Sequence, residues 1–330
     1  MIALDIDRET WPLASAFRIA RGSKTEAEVL HVTMADKSNG ERGHAECVPY
    51  ARYGETLDSV EAQIQSIAAE LAEGITREQL LTALPRGAAR NAVDCALWDL
   101  EAKRSGNRAH VTAGHRFLGT RQTYFTLSMA EPRAMAEQAR AHADHVTLKM
   151  KVGAGDGEDT ARIHAVRAAA PDARIVVDAN EAWSADNYHD MMRHCASAHI
   201  ALVEQPLPAS DDEFLRNAPR PVPVCADESA HCSKDLPRLL GKYDFVNIKL
   251  DKSGGLTEAL LMQKQARTMG FGIMVGCMVG TSLAMAPAMI LAQDAEHVDL
   301  DGPLLLAKDR ETPLPYTTNT IGPPPTDLWG

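Results

Sequence analysis

The sequence predicts an α/β fold, a parallel β/α barrel of the TIM type with a smaller α+β domain in front of it. In the second half of the chain, short apolar runs each end in a charged or polar group at nearly constant spacing. From Lys151 the steps to Asp178, Glu204, Asp227 and Lys249 are 27, 26, 23 and 22 residues. Each step has room for about one strand, one helix and two loops, which is the period of such a barrel. These five side chains are therefore expected to meet at one mouth.

The first part of the chain, residues 1–120, does not follow this period and is expected to form a separate α+β domain. A strand is predicted at Val29–Met34, and turn residues separate it from a second strand at Gly43–Cys47. Apolar residues at three- and four-residue spacing predict helices at Ser59–Ala72 and Ala88–Lys103. Strands followed by helices indicate a domain distinct from the barrel.

Eight barrel strands are predicted within residues 121–305. Their expected positions are Tyr124–Leu127, Val146–Lys151, Arg174–Asp178, Ala201–Glu204, Pro223–Asp227, Phe245–Lys249, Gly272–Gly276 and His297–Asp301. Helices are predicted between them, for example at Asp159–Ala170 and Thr257–Met269. The segment 306–330 contains the proline-rich run Pro313–Pro325 and is expected to return over the first domain.

Composition argues against several classes of function. A net charge of −11 over 330 residues is unsuited to a nucleic-acid or anionic-membrane surface. No apolar stretch approaches membrane-spanning length, and the first seven residues lack the basic start and apolar centre of a signal peptide. The six cysteines are scattered without a C-x-x-C pair, which favours reduced thiols in a cytoplasmic enzyme over disulfides or a zinc site.

A metal site is predicted from the three acids Asp178, Glu204 and Asp227, because each closes an apolar strand. Carboxylate oxygens from three separate strands form a hard site suited to Mg²⁺, with positions left for water and substrate. Any one of these acids alone is better explained as a helix cap or a salt-bridge partner. Three at consecutive strand ends, between two lysine-bearing strands, favour the metal.

Three lysines flank this predicted metal site. Lys149 and Lys151 lie two residues apart on one strand, so both side chains leave the same face. Their repulsion is expected to lower the cost of losing a proton, so that one can act as a base near neutral pH. Lys249 is expected across the mouth from Lys151. The alternative is that the lysines only neutralise the acids, which fits Lys149 as a supporting charge but not the opposed placement.

Two bases on opposite sides of a metal suit inversion of a carbon next to a carboxylate. One lysine removes the α-proton, the metal stabilises the resulting enediolate, and the opposite lysine returns a proton to the other face.

The strand-end motifs K-M-K, D-A-N, E-Q-P, A-D-E-S and N-I-K-L-D-K-S-G-G resemble the muconate-lactonising subgroup of the enolase superfamily nearly end to end. Asp299-Leu300-Asp301-Gly302-Pro303 resembles the D-x-D signature of dipeptide epimerases. Segments similar to those of L-Ala-D/L-Glu epimerases are Ile19–Ser23, Pro49–Glu55 and Ala88–Leu100. The resemblance implies a (β/α)7β barrel under an N-terminal capping domain. It implies a dipeptide epimerase with one Mg²⁺ per active site, working by 1,1-proton transfer and active in murein peptide recycling.

The resemblance also implies how a dipeptide is held. Asp299 and Asp301 share a strand face and would bind the free α-ammonium group, although they could instead cap the following loop. Lys24 occupies the position where Ala-Glu enzymes commonly carry an arginine for the glutamate side chain, and it keeps the charge without the bidentate fork. Gly280, after the seventh strand, is expected to widen the pocket around the N-terminal residue. The remaining predicted substrate contacts are Cys277 and Met278.

Other enzymes use the same lysine and metal array. These are o-succinylbenzoate synthases, which are lyases, muconate cycloisomerases and N-acylamino acid racemases. Asp299 and Asp301 argue against the first two, whose substrates carry no ammonium group. Acid-sugar dehydratases usually need a histidine base where this chain has Lys249, and a non-enzymatic barrel gives no reason for both lysines. The expected partner is a small-molecule dipeptide, and barrel enzymes of this kind often form homo-oligomers.

Overall fold

Eight parallel strands form the second half of the molecule, in the order in which they occur along the chain. A computed structural model describes residues 1–330. The barrel strands are Phe125–Leu127, Thr147–Lys151, Arg174–Asp178, Leu202–Glu204, Val224–Ala226, Phe245–Ile248, Gly272–Gly276 and His297–Asp299. A hydrogen bond of 3.0 Å from the Tyr124 amide to the Val298 carbonyl joins the first strand to the last. The predicted fold class is therefore confirmed.

The strand register places the charged side chains in one layer. Lys151 lies beside Asp178, and Asp178 lies beside Glu204, in consecutive parallel pairs. The fifth strand ends at Ala226 and the eighth at Asp299, so Asp227 and Asp301 occupy the loops that follow rather than the strands themselves. Loops at the carboxyl ends of barrel strands are where such folds carry their functional side chains.

One group of helices surrounds the barrel, and a second group packs against the first sheet. The barrel helices are Pro132–Ala141, Asp159–Ala169, Ala185–Ser197, Leu236–Leu239, Leu250–Ser253, Leu256–Thr268, Ser282–Met285 and Ala288–Ala292. The first domain contains Leu57–Ser66, Ala68–Glu73, Arg77–Ala83, Ala88–Ser105 and Ala109–Thr112. Short 3₁₀ turns lie at Ala51–Tyr53, Glu213–Arg216, Ser233–Asp235 and Gly302–Leu305. None of these helices is both long and apolar enough to cross a membrane.

The first domain opens with a long antiparallel hairpin, Ile2–Ile19 and Gly22–Asp36, to which Arg42–Cys47 adds a third strand. The outer half of this hairpin leaves the sheet and reaches the barrel. There the Met129 amide donates to the Arg18 carbonyl at 3.0 Å, and the Arg18 amide donates to Ser128 Oγ at 2.8 Å. The tip of the hairpin is thereby held over the mouth of the barrel.

The helix Ala88–Ser105 joins the first domain to the barrel, and 14 of its 18 residues are buried. Asp94 accepts hydrogen bonds from the amide and hydroxyl of Thr257 at 2.9 and 2.6 Å. At the end of the chain, Trp329 Nε1 donates to the Cys95 carbonyl at 3.1 Å. The C-terminal segment thus packs on this helix, and its strand Thr320–Ile321 pairs with the short strand Arg121–Gln122. All six cysteines are unpaired.

Candidate active site

Lys149 is buried at the centre of the barrel mouth among three acids. Its Nζ lies 2.6 Å from Glu204 Oε2, 2.7 Å from Asp299 Oδ2 and 3.2 Å from Asp178 Oδ2. Burial lowers the pKa of Lys149, but these carboxylates outweigh it and hold the pKa well above its ordinary value. The expected lowering by repulsion from Lys151 is therefore wrong for Lys149, because its nearest charges are acids.

The two lysines predicted to transfer protons each contact one acid. Lys151 Nζ lies 2.5 Å from Asp178 Oδ2, and Lys249 Nζ lies 2.8 Å from Asp227 Oδ2. Burial lowers the pKa of Lys249, but Asp227 and then Glu204 raise it well above its ordinary value. Both lysines line the same cavity. The structure therefore brings together the two predicted bases, one on the second strand and one after the sixth.

Neighbouring groups fix one oxygen of each predicted metal ligand. The Asn180 amide donates to Asp178 Oδ1 at 2.9 Å, and Asn247 Nδ2 donates to Glu204 Oε1 at 2.8 Å. Lys252 Nζ donates to Asp227 Oδ1 at 2.5 Å and also to the Asp227 and Asn247 carbonyls. The sequence reasoning missed Asn247 and Lys252. The signal was present, since both belong to the N-I-K-L-D-K-S run around Lys249.

The remaining oxygens of these acids fit a hard cation. Glu204 Oε2 is buried, and its ion-pair partner is Lys149 Nζ at 2.6 Å. Three buried carboxylates, each with an oxygen directed toward the same group of ammonium ions, are the donor set that Mg²⁺ prefers. In this structure the triad oxygens do not all lie within 4.8 Å of one another. The acids that meet that distance are Glu131, Asp156 and Glu158 on the surface.

A cavity of about 370 Å³ lies between the barrel mouth and the first domain. That size suits a small molecule. Lys151 and Lys249 are among the barrel residues that line it, Ser23 and Lys24 line it from the hairpin, and Lys24 Nζ lies 5.8 Å from the centre of the Tyr50 ring. The other predicted substrate residues that line this cavity are Cys277, Met278, Asp299 and Asp301.

Asp299 and Asp301 are buried side by side at this cavity. Asp299 Oδ2 contacts Lys149, but Asp299 Oδ1 is buried without any hydrogen-bond partner. Asp301 Oδ2 accepts a hydrogen bond of 2.6 Å from the Thr126 amide. Burial, followed by the charge of Asp299, raises the pKa of Asp301 to about 7. A buried carboxylate oxygen without a donor is costly, so this pair favours a ligand that carries a cation or several N–H groups.

Glu228 and Arg21 form a contact that the sequence reasoning missed. Arg21 Nη2 donates to Glu228 Oε1 at 2.7 Å, and Glu228 Oε2 is buried without a partner. Burial, and then the charges of Asp227 and Asp178, raise the pKa of Glu228 to about 7. Glu228 belongs to the A-D-E-S motif, but no local pattern indicates a partner 207 residues earlier in the chain.

Gly280 does not line the cavity. A Cβ atom at Gly280 would lie 2.8 Å from Glu46 Oε1 and 3.2 Å from Val48 Cγ2. Glu46 is fully buried and accepts a hydrogen bond from the Thr281 amide at 2.8 Å. The expectation that Gly280 widens the substrate pocket is therefore wrong. Its missing side chain makes room for a buried acid of the first domain.

Known proteins resemble both parts of the chain. Residues 1–110 match the mandelate racemase/muconate lactonizing enzyme N-terminal domain, and residues 133–318 match the enolase C-terminal domain-like family. The chain is 44% identical to the L-Ala-D/L-Glu epimerase of Escherichia coli (strain K12) over 321 residues, covering 97% of this chain and 99% of that protein. It is also 44% identical to the N-acetyl-D-glutamate racemase of Pseudoalteromonas sp, covering 92% of this chain and 95% of that one.

Solved structures agree with these matches. An enolase family member from Agrobacterium tumefaciens, solved with bound sodium and L-Ala-L-Glu, superposes with a TM-score of 0.97 at 48% identity and full coverage of both chains. The substrate-liganded L-Ala-D/L-Glu epimerase from Bacillus subtilis superposes with a TM-score of 0.91 at 28% identity, covering 98% and 96%. This chain therefore belongs to the mandelate racemase/muconate lactonizing enzyme family of the enolase superfamily, and its relatives there are epimerases and racemases.

Proposed function

We propose that this protein is a Mg²⁺-dependent dipeptide epimerase that inverts the C-terminal residue of L-Ala-D/L-Glu. The observation that carries the proposal is the partnerless Oδ1 of Asp299, which lies in the same cavity as Lys151 and Lys249. Relatives named as dipeptide epimerases support it, and so does a structural neighbour solved with L-Ala-L-Glu.

The metal would be held by Asp178, Glu204 and Asp227. When bound, Mg²⁺ would supply positive charge that stabilises the substrate carboxylate as the neighbouring α-proton leaves. Lys149 contacts three carboxylates, whereas Lys151 and Lys249 each contact one. Lys149 is therefore assigned as a supporting charge that partly neutralises these acids, and not as a base.

Proton transfer is assigned to Lys151 and Lys249. One Nζ takes the α-proton from one face of the carbon, and the other delivers a proton to the opposite face, so that the configuration is inverted. By the family resemblance, Lys249 serves the L configuration of the second residue and Lys151 serves the D configuration. The reaction requires no net gain or loss of protons.

The residues that line the cavity explain the choice of substrate. Asp299 and Asp301 would receive the α-ammonium group of the first residue, which gives Asp299 Oδ1 its missing donor. Lys24, at the outer wall of the cavity, would bind the side-chain carboxylate of a glutamate in the second position. A cavity lined by two buried acids and by a lysine of the hairpin matches a dipeptide with a free amino end and an anionic side chain.

An N-acylamino acid racemase is the second candidate, because one relative at 44% identity is an N-acetyl-D-glutamate racemase. An N-acetyl group has no positive charge to pair with Asp299 and Asp301, and Lys149 contacts only Asp299 Oδ2, so Asp299 Oδ1 would remain without a cation. The pair Asp299 and Asp301 therefore favours the free dipeptide.

The test is a dipeptide library incubated with the protein and Mg²⁺ in deuterium oxide, with N-acetyl-D-glutamate as a separate sample. We expect deuterium at the α-carbon of L-Ala-L-Glu and L-Ala-D-Glu, with slower exchange in L-Ala-L-Leu. Equal or faster exchange in N-acetyl-D-glutamate would contradict the epimerase assignment and support the racemase. Absence of exchange in every compound would contradict both.

The proposal extends to the cellular role, which is the recycling of murein peptides in the cytoplasm. Accumulation of L-Ala-D-Glu in cells that lack this protein would support that role. The division into residues 1–120, 121–305 and 306–330 and the formation of a homo-oligomer stay predictions.

A further inference from the structure

The hairpin that carries Lys24 is tied to the barrel by one side chain near its tip. Arg21 Nη2 donates to Glu228 Oε1 at 2.7 Å, and Arg21 Nη1 donates to the Asn180 carbonyl at 2.9 Å. The same guanidinium lies 3.3 Å from Glu181 Oε2 and 3.3 Å from the Tyr50 hydroxyl. Its side chain is only 26% exposed although it belongs to a surface turn. Three of these four contacts, those to Asn180, Glu181 and Glu228, cross the boundary between the two domains, and the fourth stays within the first domain.

On the barrel side, this contact is made by a turn with an unusual backbone conformation. Asn180 and Glu181 both have positive φ angles, 45° and 72°, which non-glycine residues rarely adopt. Glu181 is also held by Arg52, whose Nε and Nη2 donate to its two carboxylate oxygens at 2.9 Å each. Two arginines of the first domain thus converge on one strained turn that follows the third barrel strand.

Lys24 itself has no such anchor. It lies three residues after Arg21 on an exposed part of the hairpin, and its Nζ makes no hydrogen bond or ion pair in the structure. Among residues 19–25, Arg21 is the only one whose side chain hydrogen-bonds to the barrel. The backbone of Arg18 already fixes the start of the tip on the barrel, and Arg21 adds the side-chain contact nearest to Lys24. The position of Lys24 over the cavity therefore depends in part on Arg21.

We propose that Arg21 is a positioning residue for substrate specificity. Its bonds to Glu228 and the Asn180 carbonyl hold the hairpin tip closed, so that Lys24 meets the anionic side chain of the second residue. This inference rests on the proposed function for the identity of the substrate, but the anchoring itself does not depend on the reaction.

The kinetic test compares L-Ala-L-Glu with L-Ala-L-Leu. In Arg21→Met we expect KM for L-Ala-L-Glu to rise at least about tenfold, the scale of a lost charge-assisted hydrogen bond. KM for L-Ala-L-Leu should change much less, because leucine carries no charge for Lys24 to bind. The kcat values for both dipeptides should also change much less, because the proton-transfer lysines Lys151 and Lys249 are unaltered. Arg21→Lys should restore part of the preference, since an ammonium group can still pair with Glu228. An equal loss on both dipeptides would overturn the inference.

A double-mutant cycle tests whether Arg21 acts through Lys24. Lys24→Ala alone should narrow the preference for L-Ala-L-Glu, and adding Arg21→Met should narrow it little further. Additive losses, or an unchanged preference in Lys24→Ala, would overturn the inference. Arg18→Met is the matched control, because Arg18 lies on the same hairpin and its side chain makes no hydrogen bond; it should keep the parent's preference.

Hydrogen exchange separates this inference from the proposed function, since it needs no substrate. The backbone amides of residues 18–25 should exchange faster in Arg21→Met than in the parent or in Arg18→Met. Faster exchange in a protein that epimerises no dipeptide would support the anchoring while the proposed function fails. Equal exchange in the two variants would overturn the anchoring whatever the activity.

Discussion

The buried charge of Glu204 is expected to control both Mg²⁺ binding and catalysis at the mouth of the barrel. One of its oxygens accepts a hydrogen bond from Asn247, and the other lies 2.6 Å from Lys149 Nζ. Glu204→Gln keeps the shape and removes the charge, so Mg²⁺ affinity and α-proton exchange should each fall by at least about a hundredfold. Calorimetry with Mg²⁺ and deuterium exchange measure the two effects. Glu213→Gln, an exposed change, is the control, and parent-like Mg²⁺ binding by Glu204→Gln would contradict the metal assignment.

The alanine variants of Lys151 and Lys249 should differ in which isomer of the dipeptide still exchanges its α-proton. Either alanine variant should lose epimerisation, because no group remains to serve one face of the carbon. Lys151→Ala should still exchange deuterium into L-Ala-L-Glu, and Lys249→Ala into L-Ala-D-Glu. NMR of both isomers in deuterium oxide measures this, and full epimerisation by either variant would refute the two-base mechanism.

Asp299→Asn should weaken the binding of free dipeptides more than it weakens binding of their N-acetyl derivatives. The change removes the charge that faces the α-ammonium group and also disturbs the ion pair with Lys149. We expect kcat/KM for L-Ala-L-Glu to fall by about tenfold or more, the cost of losing a buried charged partner. Steady-state kinetics with both substrates measures the difference, and equal losses on the two would argue against an ammonium site.

The charged residues of this site could be predicted from the sequence because each lies at the end of an apolar strand. What the spacing cannot predict is the partner of each charge. Lys149 has three acids around it instead of a repelling lysine, and Gly280 makes room for Glu46 instead of substrate. Arg21 and Glu228 are separated by 207 residues, so only the folded chain shows their contact.

At the scale of the element, apolar periodicity was sufficient to predict the positions of the barrel strands but not the strands and helices of the first domain. The eight strands lie within about two residues of their predicted positions. The predicted helix Ser59–Ala72 is instead two helices that meet at Ile67, which is buried with φ −103° and ψ 8°. The strand Ile2–Ile19 was missed, because four charged residues within Asp5–Glu9 interrupt its apolar pattern and all of its residues except Ile2 are half-buried or exposed.

Close packing between a strand and a helix gives a prediction at this scale. Gly43 lies against the helix Ala88–Ser105, where an added Cβ would be 2.2 Å from the Ala96 carbonyl oxygen and 2.6 Å from the Leu100 amide. Gly43→Ala must move the helix and should lower the free energy of unfolding by about 1–3 kcal/mol or more. Denaturant titration measures it, with Gly119→Ala as the control, since the nearest atom there is 3.6 Å away. Equal stability of the two variants would show that the helix shifts without cost.

At the scale of the whole molecule, one continuous core of 78 buried residues includes side chains from the first sheet, the barrel and the C-terminal segment. Trp329 is 1% exposed and contacts the helix that joins the two domains. Trp329→Ala should destabilise the protein by about 3–5 kcal/mol and leave a single unfolding transition. Circular dichroism and calorimetry check this, with the exposed Phe117→Ala as the control. Two separate transitions would show that the domains unfold independently.

The hairpin reaching over the barrel has a consequence for how such enzymes diversify. Under the proposed function, the side chain of the second residue is recognised by Lys24 on the hairpin, and the amino end by Asp299 on the last strand. The reacting lysines belong to neither segment. New substrate preferences can therefore arise by exchanging the hairpin tip, residues 18–25, without mutations of the reacting lysines. Grafting hairpin tips between homologues, each with its own anchor residue, is a compact library for redesigning this enzyme.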